Sequence, residues 1–230
     1  MTDSPIAPAT PDLTGKTIAV LGGTGPQGRG LARRFAAAGL EVIVGSRSAE
    51  RAASTAAELT EATGRRISGL DNTGAAESGD IVLVVVPWEG HGELVASVAQ
   101  YLDGKVVVDC VNPLGFDKHG AYALPVPEGS ATQQAAALLP SSSVVGAFHN
   151  VSAVLLEDVD VSTIETDVLV LGDDRAATDL VEELASAIPG VRGVYGGRLR
   201  NAHQVEALTA NLISINRRYK SHAGIRVTDL

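Results

Sequence analysis

The sequence predicts an α/β fold, a Rossmann-type doubly wound parallel sheet followed by a small C-terminal α/β domain that ends in a long helix. Three observations predict it. Short runs of Val, Ile and Leu alternate with helical stretches from Lys16 onward, the pattern of a parallel sheet covered on both faces. The first apolar run leads into the glycine-rich loop Gly22-Gly23-Thr24-Gly25-Pro26-Gln27-Gly28, which opens a helix. Beyond about residue 150 the unit shortens to one strand, one helix and a long amphipathic stretch.

Residues 1–15, with Pro5, Pro8 and Pro11 among Ala, Thr and Asp, lack apolar periodicity and read as a disordered leader. The dinucleotide-binding domain is expected over 16–150. Its strands fall at 17–21, 42–46, 67–70, 81–86, 106–110 and 144–148, the short β-branched runs. Helices are expected at 26–38, 48–62, 74–78, 91–101 and 131–138, with Gly39, Gly64, Gly79 and Gly104 as stops. The small domain, 151–230, is expected to hold a strand at 166–171, a helix at 175–187 and a final helix at 201–219, and to serve coenzyme binding and oligomerisation.

Composition removes several function classes. Of 230 residues 18 are basic and 27 acidic, a formal net charge of -9, so the chain lacks the basic field that non-specific nucleic-acid binding needs. The longest apolar run, Ile81–Val86, is far short of the roughly 20 residues of a membrane span, and no membrane role is expected. A single cysteine, Cys110, excludes a disulfide framework or a thiolate metal cluster and suits a reducing compartment, by default the cytoplasm. His91, His119, His149, His203 and His222 are scattered without metal-ligand spacing, and no metal site is expected.

The glycine loop carries the strongest chemical signal. Gly23, Gly25 and Gly28 fit GxGxxG at a strand-to-helix junction, where they permit a tight turn, backbone approach to a pyrophosphate and close helix–strand packing. Gly22, Gly25 and Gly28 fit the GxxGxxG variant equally well. About 20 residues on, where an NAD enzyme places an acid on the ribose 2′-hydroxyl, the second strand ends in Gly45-Ser46-Arg47, with Arg51 one turn later. A hydroxyl and two guanidinium groups suit a 2′-phosphate, so NADP(H) is the expected dinucleotide.

Other catalytic constellations are missing. Tyr101 and Lys105 form a Y-x-x-x-K match, but Asp103-Gly104 and a following strand separate them from a shared helical face. The remaining strand ends offer apolar or amide groups: Val86-Pro87-Trp88, Asn112-Pro113-Leu114 and His149 to Ala153. Such a site suits hydride transfer between two rings held face to face.

With these residues in view, the chain resembles the NADPH-dependent reductases of the deazaflavin coenzyme F420. The matching segments are Ile18 to Ala32 through the glycine loop, Val44-Gly45-Ser46-Arg47, Val86-Pro87-Trp88-Glu89, Val106-Val107-Val108 leading into Asn112-Pro113-Leu114, His149 with Ala153, and Val205-Glu206-Ala207-Leu208-Thr209. The resemblance implies a homo-oligomeric enzyme, a dimer for preference, moving hydride between nicotinamide C4 and deazaflavin C5. It implies that Thr24 to Gln27 hold the pyrophosphate, Ser46, Arg47 and Arg51 the 2′-phosphate, and Val86, Gly90 and Asn112 the nicotinamide side. Backbone groups of Val151 and Ala153 would meet the deazaflavin, and His149 would supply the proton that follows the hydride. Archaeal members carry Thr-Ile-Pro where this chain has Asn150-Val151-Ser152, which shifts ring placement there from side chains to backbone. An imine or carbonyl reductase on the same scaffold and a non-catalytic NADP sensor are the alternatives.

Charge is uneven along the C-terminal part. Residues 157–183 hold ten acids and one base, whereas 192–226 hold seven bases (Arg192, Arg198, Arg200, Arg217, Arg218, Lys220, Arg226) and one acid, Glu206. This basic end is expected to meet an anionic ligand, such as a phosphate and glutamyl tail, or to pair with the acidic stretch.

Overall fold

The computed structural model describes residues 12–230. Most of the expected leader lies outside the described residues; at its end Leu13 packs against the core and its carbonyl accepts from the Lys16 N–H at 3.1 Å. The chain then runs β1 (Thr17–Leu21), α1 (Pro26–Ala37), β2 (Glu41–Ser46), α2 (Ala49–Thr63), β3 (Ile67–Asp71), α3 (Asn72–Ser78) and β4 (Ile81–Val84). A 3-10 turn at Trp88–Gly90 leads into α4 (His91–Val98), then β5 (Val106–Asp109), a hairpin β6 (Leu114–Asp117) and β7 (Gly120–Ala123), α5 (Ala131–Leu138) and β8 (Ser143–Gly146). The rest comprises α6 (Ala153–Glu157), β9 (Thr166–Gly172), α7 (Arg175–Ser186), β10 (Val191–Gly197) and α8 (Ala202–Tyr219).

Eight strands form one sheet in the order β10-β9-β8-β5-β4-β1-β2-β3. All neighbours are parallel except β8 and β9, which meet antiparallel at Val145–Gly172 and Gly146–Leu171. Strand β1 sits between β2 and β4, so chain order reverses there; folds of this kind bind ligands beyond the carboxyl ends of the strands at such a point.

The all-apolar strands reflect burial on both faces. Ile18 and Val20 point into the layer of α1, α2, α6 and α7, with Leu31, Phe35, Leu59, Leu156 and Val181, while Ala19 and Leu21 point into that of α3, α4 and α5, with Val95, Val98 and Ala135. Full burial of each Val, Leu or Ile stabilises by roughly 1.5–3 kcal/mol before chain entropy is counted.

The strand pattern over 81–86, 106–110 and 144–148 overran the paired segments, because apolar residues continue past the last ladder pair. Val85, Cys110 and Ala147 stay buried, and their N–H groups bond backwards to Leu21, Val84 and Asp109 carbonyls. These overhangs build the site. The hairpin, α6 and β10 gave no sequence signal. In β10 the strand is diluted by glycine, and Gly193 is required where a Cβ would fall 2.3 Å from the Glu182 carbonyl oxygen of α7.

The segment from residue 151 onward adds β9 and β10 to the same sheet as the dinucleotide-binding strands. Helix α8 lies on β7 and α5, burying Ala202, Val205, Glu206 and Leu212.

Candidate functional site

The loop between β1 and α1 is shaped by contacts that only glycine permits. Gly22 has φ +76°, and a Cβ there would lie 2.3 Å from the Val85 carbonyl oxygen. The tight turn thus rests on Gly22; Gly23 is needed for closeness, with a Cβ position 2.8 Å from the Val20 carbonyl oxygen. The Gly23 N–H donates to the Gly45 carbonyl at 2.9 Å and that of Gly22 to Asn72 Oδ1 at 3.4 Å, fastening the loop to β2 and α3. At Gly28 a Cβ would fall 2.7 Å from Gly23 Cα, the close helix–strand approach read from the motif.

Helix α1 begins without a side-chain cap. Gly25 is its N-cap, Pro26 opens the first turn and no acid lies in that turn. Its first amides and the positive end of the helix dipole are therefore left for an anion, the chemistry a pyrophosphate requires. Thr24 and Gln27 flank this point, both half-buried.

At the end of β2, Ser46 is buried and its Oγ accepts from the Ser48 N–H at 3.4 Å. Ser48 in turn caps α2 by accepting from the Arg51 N–H, which sets the Arg51 side chain on the first turn beside Arg47. Both guanidinium groups are exposed, and among the described residues neither is in an ion pair. Two uncommitted cations and a hydroxyl at this strand end fit a phosphate.

The turn after β8 gathers His149, Val151 and Ala153, with Asn112 bonded to it. Phe148 adopts φ +62°, a left-handed conformation that a bulky side chain rarely holds, and its carbonyl accepts from Gln27 Nε2 at 2.8 Å. The His149 carbonyl accepts from Asn112 Nδ2 at 2.9 Å and from Thr209 Oγ1 at 3.0 Å. Asn150 Nδ2 donates to the Val205 carbonyl and to Thr209 Oγ1. Both ring nitrogens of His149 and the Oδ1 of Asn112 are buried without a hydrogen-bond partner. Burial lowers the His149 pKa to about 4 against the opposing charge of Asp109, so the ring is neutral near pH 7. Unsatisfied polar atoms of this kind cost stability and single out this turn as a candidate part of the site.

Val151 is buried, and Ser152 caps α6, whose first residue is Ala153. Helix α6 is held against α1 by residues the sequence reading did not single out. Arg34 Nε donates to the Leu156 carbonyl at 2.9 Å, and its Nη2 to those of Leu155 at 2.6 Å and Asp158 at 3.0 Å. The available signal was an arginine between Leu31 and Phe35 on the apolar face of α1. Val86 follows β4 half-buried, and Gly90 closes the 3-10 turn by donating to the Pro87 carbonyl at 3.1 Å.

Thus Gly23 to Gly28 follow β1, Ser46 and Arg47 close β2 and Arg51 opens α2, at the carboxyl ends of two paired strands, and Asn112 joins the turn of His149 to Ala153 that Gln27 ties to the glycine loop. The basic C-terminal segment does not act as one surface. Arg192 and Arg226 both bind the buried Asp167 carboxylate, Arg192 through Nε at 2.8 Å and Nη2 at 2.6 Å, Arg226 through Nη1 at 2.9 Å, and Arg226 also pairs with Glu165. These two arginines are removed from any tail site because they are consumed by β9. Lys105 donates to the Ala76 and Glu77 carbonyls at the end of α3, so its spacing from Tyr101 carries no chemistry.

Fold and glycine loop together define the class, a Rossmann-type dinucleotide-binding protein. Residues 17–113 match the family described as NADP oxidoreductase, coenzyme F420-dependent. The F420-dependent NADP reductase of Methanothermobacter thermautotrophicus is 41% identical over 221 residues, 93% of this chain and 95% of that one. That of Methanocaldococcus jannaschii is 40% identical over 222 residues, 93% and 98% of the two chains. The crystal structure of a candidate F420-dependent NADP-reductase from Arthrobacter sp. FB24 superposes with a TM-score of 0.78 at 24% identity, covering 93% of this chain and 100% of that one, and shares the fold. The chain belongs to the family of F420-dependent NADP reductases.

Proposed function

We infer that the protein catalyses hydride transfer between NADP(H) and coenzyme F420, in the sense NADPH + F420 + H⁺ to NADP⁺ + reduced F420 and its reverse. The observation that carries this reading is the Gln27–Phe148 hydrogen bond at 2.8 Å, which ties the dinucleotide loop to the turn holding the unpartnered His149 ring. Two coenzyme-binding segments joined at this distance suit two rings stacked for direct transfer, which needs reacting carbons about 3–3.5 Å apart.

In this reading Thr24, Gly25, Pro26 and Gln27 hold the pyrophosphate at the start of α1, and Ser46, Arg47 and Arg51 bind the 2′-phosphate that distinguishes NADP(H) from NAD(H). Val86, Gly90 and Asn112 border the nicotinamide, with Asn112 Oδ1 free to accept from its carboxamide. Backbone groups of Val151 and Ala153 meet the deazaflavin. The hydride leaves nicotinamide C4 for deazaflavin C5 and a proton joins the ring nitrogen. His149, neutral when the site is empty, would offer an N–H to that ring, and passing this proton on requires its other ring nitrogen to take one up in the same step. Buried apolar walls keep water away from the transferred hydride.

The segment 151–230 serves deazaflavin binding and assembly. Phe116 and Tyr122 on the hairpin and Ile215 and Tyr219 on α8 remain exposed, and α8 lies against β7. We assign this apolar patch to a homodimer contact, which light scattering checks: a monomer at micromolar concentration overturns it. With one cysteine and an acidic surface, the enzyme belongs in the reducing cytoplasm.

Mixing purified protein, NADPH and oxidised F420 tests the activity. Loss of the deazaflavin absorbance band with stoichiometric NADP⁺ formation is expected. Tight NADPH binding without turnover would instead mean a sensor, and turnover only with imines or carbonyls a reductase of another substrate.

A further inference from the structure

His91, one of five histidines scattered along the sequence, lies at the centre of a buried network. It is the first residue of α4, 0% exposed, with Nε2 2.5 Å from Asp109 Oδ2 and Nδ1 2.9 Å from Gln134 Oε1. Both partner atoms are acceptors. Gln134 Nε2 donates to the Glu128 carboxylate at 3.3 Å, which fixes the amide orientation, and Asp109 Oδ1 accepts from the Val111 N–H at 3.0 Å. A neutral imidazole has one N–H and can satisfy only one of these acceptors. With Asp109 as the carboxylate, the observed pair of contacts needs both ring nitrogens protonated.

The network reaches three strand ends. Trp88 stacks on the His91 ring at 5.6 Å with 28° between planes, which holds the turn after β4 that carries Gly90. Asp109 ends β5 and, through Val111, fixes the segment leading to Asn112, whose side chain grips the His149 carbonyl after β8. We propose that His91 is a positioning residue for hydride transfer: as an imidazolium clamped between Asp109 and Gln134, it locks the Trp88–Gly90 turn and the Val111–Asn112 segment in register around the nicotinamide. This inference rests on the placement of the nicotinamide given above.

The charged and titratable groups around the ring are consistent with that state. Asp109 faces it from β5, Glu206 from α8 and Glu128, through Gln134, from the start of α5, while Glu89 and Glu93 lie on its own stretch of chain. His149, after β8, is near Asp109 but stays neutral. Burial pulls the His91 pKa down, but the hydrogen bond and charge of Asp109, the Gln134 bond and the Glu206 charge outweigh it and hold it above its ordinary value. The stabilisation is therefore complete below about pH 6.5 and is lost as pH rises through the folded-state value.

The test combines two readouts on the full chain. ¹³C-labelled histidine NMR follows the titration of each ring, and stopped-flow absorbance follows single-turnover hydride transfer from saturating NADPH at each pH. The His91 resonance is expected to titrate above 6.5, with the transfer rate falling in step. Asp109→Asn should move both midpoints to lower pH. His91→Gln should abolish this alkaline limb and slow transfer about ten- to a hundredfold, the cost of a misplacement near 1 Å, with the NADPH KM changed less than about threefold because phosphate binding is remote. A merely structural role would lower the melting temperature without moving the pH limb. The proposal is overturned if wild-type His91 titrates below 6.5, if the Asp109→Asn limb stays in place, or if folded His91→Gln transfers hydride within twofold of wild type. Should the variants fail to fold, the wild-type NMR and rate midpoints still decide: coincidence supports the clamp and disagreement removes it. Failure of the underlying NADP(H) placement shows separately, as Arg47→Ala leaving NADPH affinity unchanged.

Discussion

Gly30 and Leu156 touch so closely that a side chain on the glycine would have its Cβ 2.5 Å from Leu156 Cβ. This contact sets how near α6 approaches α1, and Arg34 seals it by donating to the carbonyls of Leu155, Leu156 and Asp158. Because α6 begins at Ala153, the same contact places the turn 148–153 over the glycine loop.

Gly30→Ala should therefore push α6 outward. Overpacking costs about 1–3 kcal/mol, and for a chain of this size each kcal/mol lowers the melting temperature by roughly 2–4 °C. The KM for the deazaflavin should rise more than that for NADPH, because Gly30 faces α6 whereas the pyrophosphate meets the helix start one turn earlier. Equal losses for both coenzymes in steady-state kinetics would show that α6 does not position the second coenzyme.

Arg47→Ala should raise the KM for NADPH roughly ten- to a hundredfold, the worth of a charge-assisted hydrogen bond of ~1.5–3 kcal/mol, and leave that for NADH nearly unchanged. The guanidinium is exposed and outside every ion pair among the described residues, so its removal should leave the melting temperature unaltered. Parallel losses with both nucleotides would move the 2′-phosphate elsewhere.

The sheet of the dinucleotide-binding part was legible because most of its strands, such as β4 and β5, are short runs rich in β-branched residues, and the glycine loop because its spacing is imposed by backbone collisions. What escaped the sequence lies in contacts between distant segments. Gln27 meets Phe148 across 121 positions, and Glu206 of α8 accepts from the Ala131 and Thr132 amides that begin α5. No local pattern encodes such pairs. The weak strand β10 was hidden by its glycines, and the continuity of β9 with the sheet by the reversal of direction at β8. Asp109 was visible only as a single acid closing a run of valines, and its partner His91 not at all.

A third expectation concerns acid stability. The Arg192 guanidinium, followed by the Val227 N–H and Arg226, holds the buried Asp167 carboxylate down to a pKa of about 2 against its burial. A carboxyl depressed in the folded state contributes stability that is complete above its unfolded value near 3.9 and is lost as pH falls through about 2. Asp167→Asn should weaken the protein at neutral pH and flatten its loss of stability between pH 4 and 2. Denaturant melts across this window check it, and an unchanged acid slope would place the linkage on other carboxylates.

The fate of Arg192 and Arg226 narrows the question of where the anionic tail of the deazaflavin lies. Of the seven bases in 192–226, those two are bound to Asp167, whereas Arg217 and Arg218 in the last turn of α8 are exposed, with Arg218 5.9 Å from the Tyr219 ring. If this pair meets the tail, affinity for the intact coenzyme should fall with added salt, since exposed attractions are screened over about 8–10 Å. Turnover at saturation should hardly change, because a contact remote from the hydride contributes uniform binding. Reversing both residues to glutamate should make the intact coenzyme bind as weakly, and with as little salt response, as a truncated deazaflavin lacking phosphate and glutamates. The substitutions lie on an exposed turn, so the fold should survive, which circular dichroism verifies before binding is measured. If the double variant keeps wild-type affinity and salt response, the arginine pair belongs to a solvated face or a subunit contact, and Arg198 and Arg200, also exposed, become the next cations to reverse.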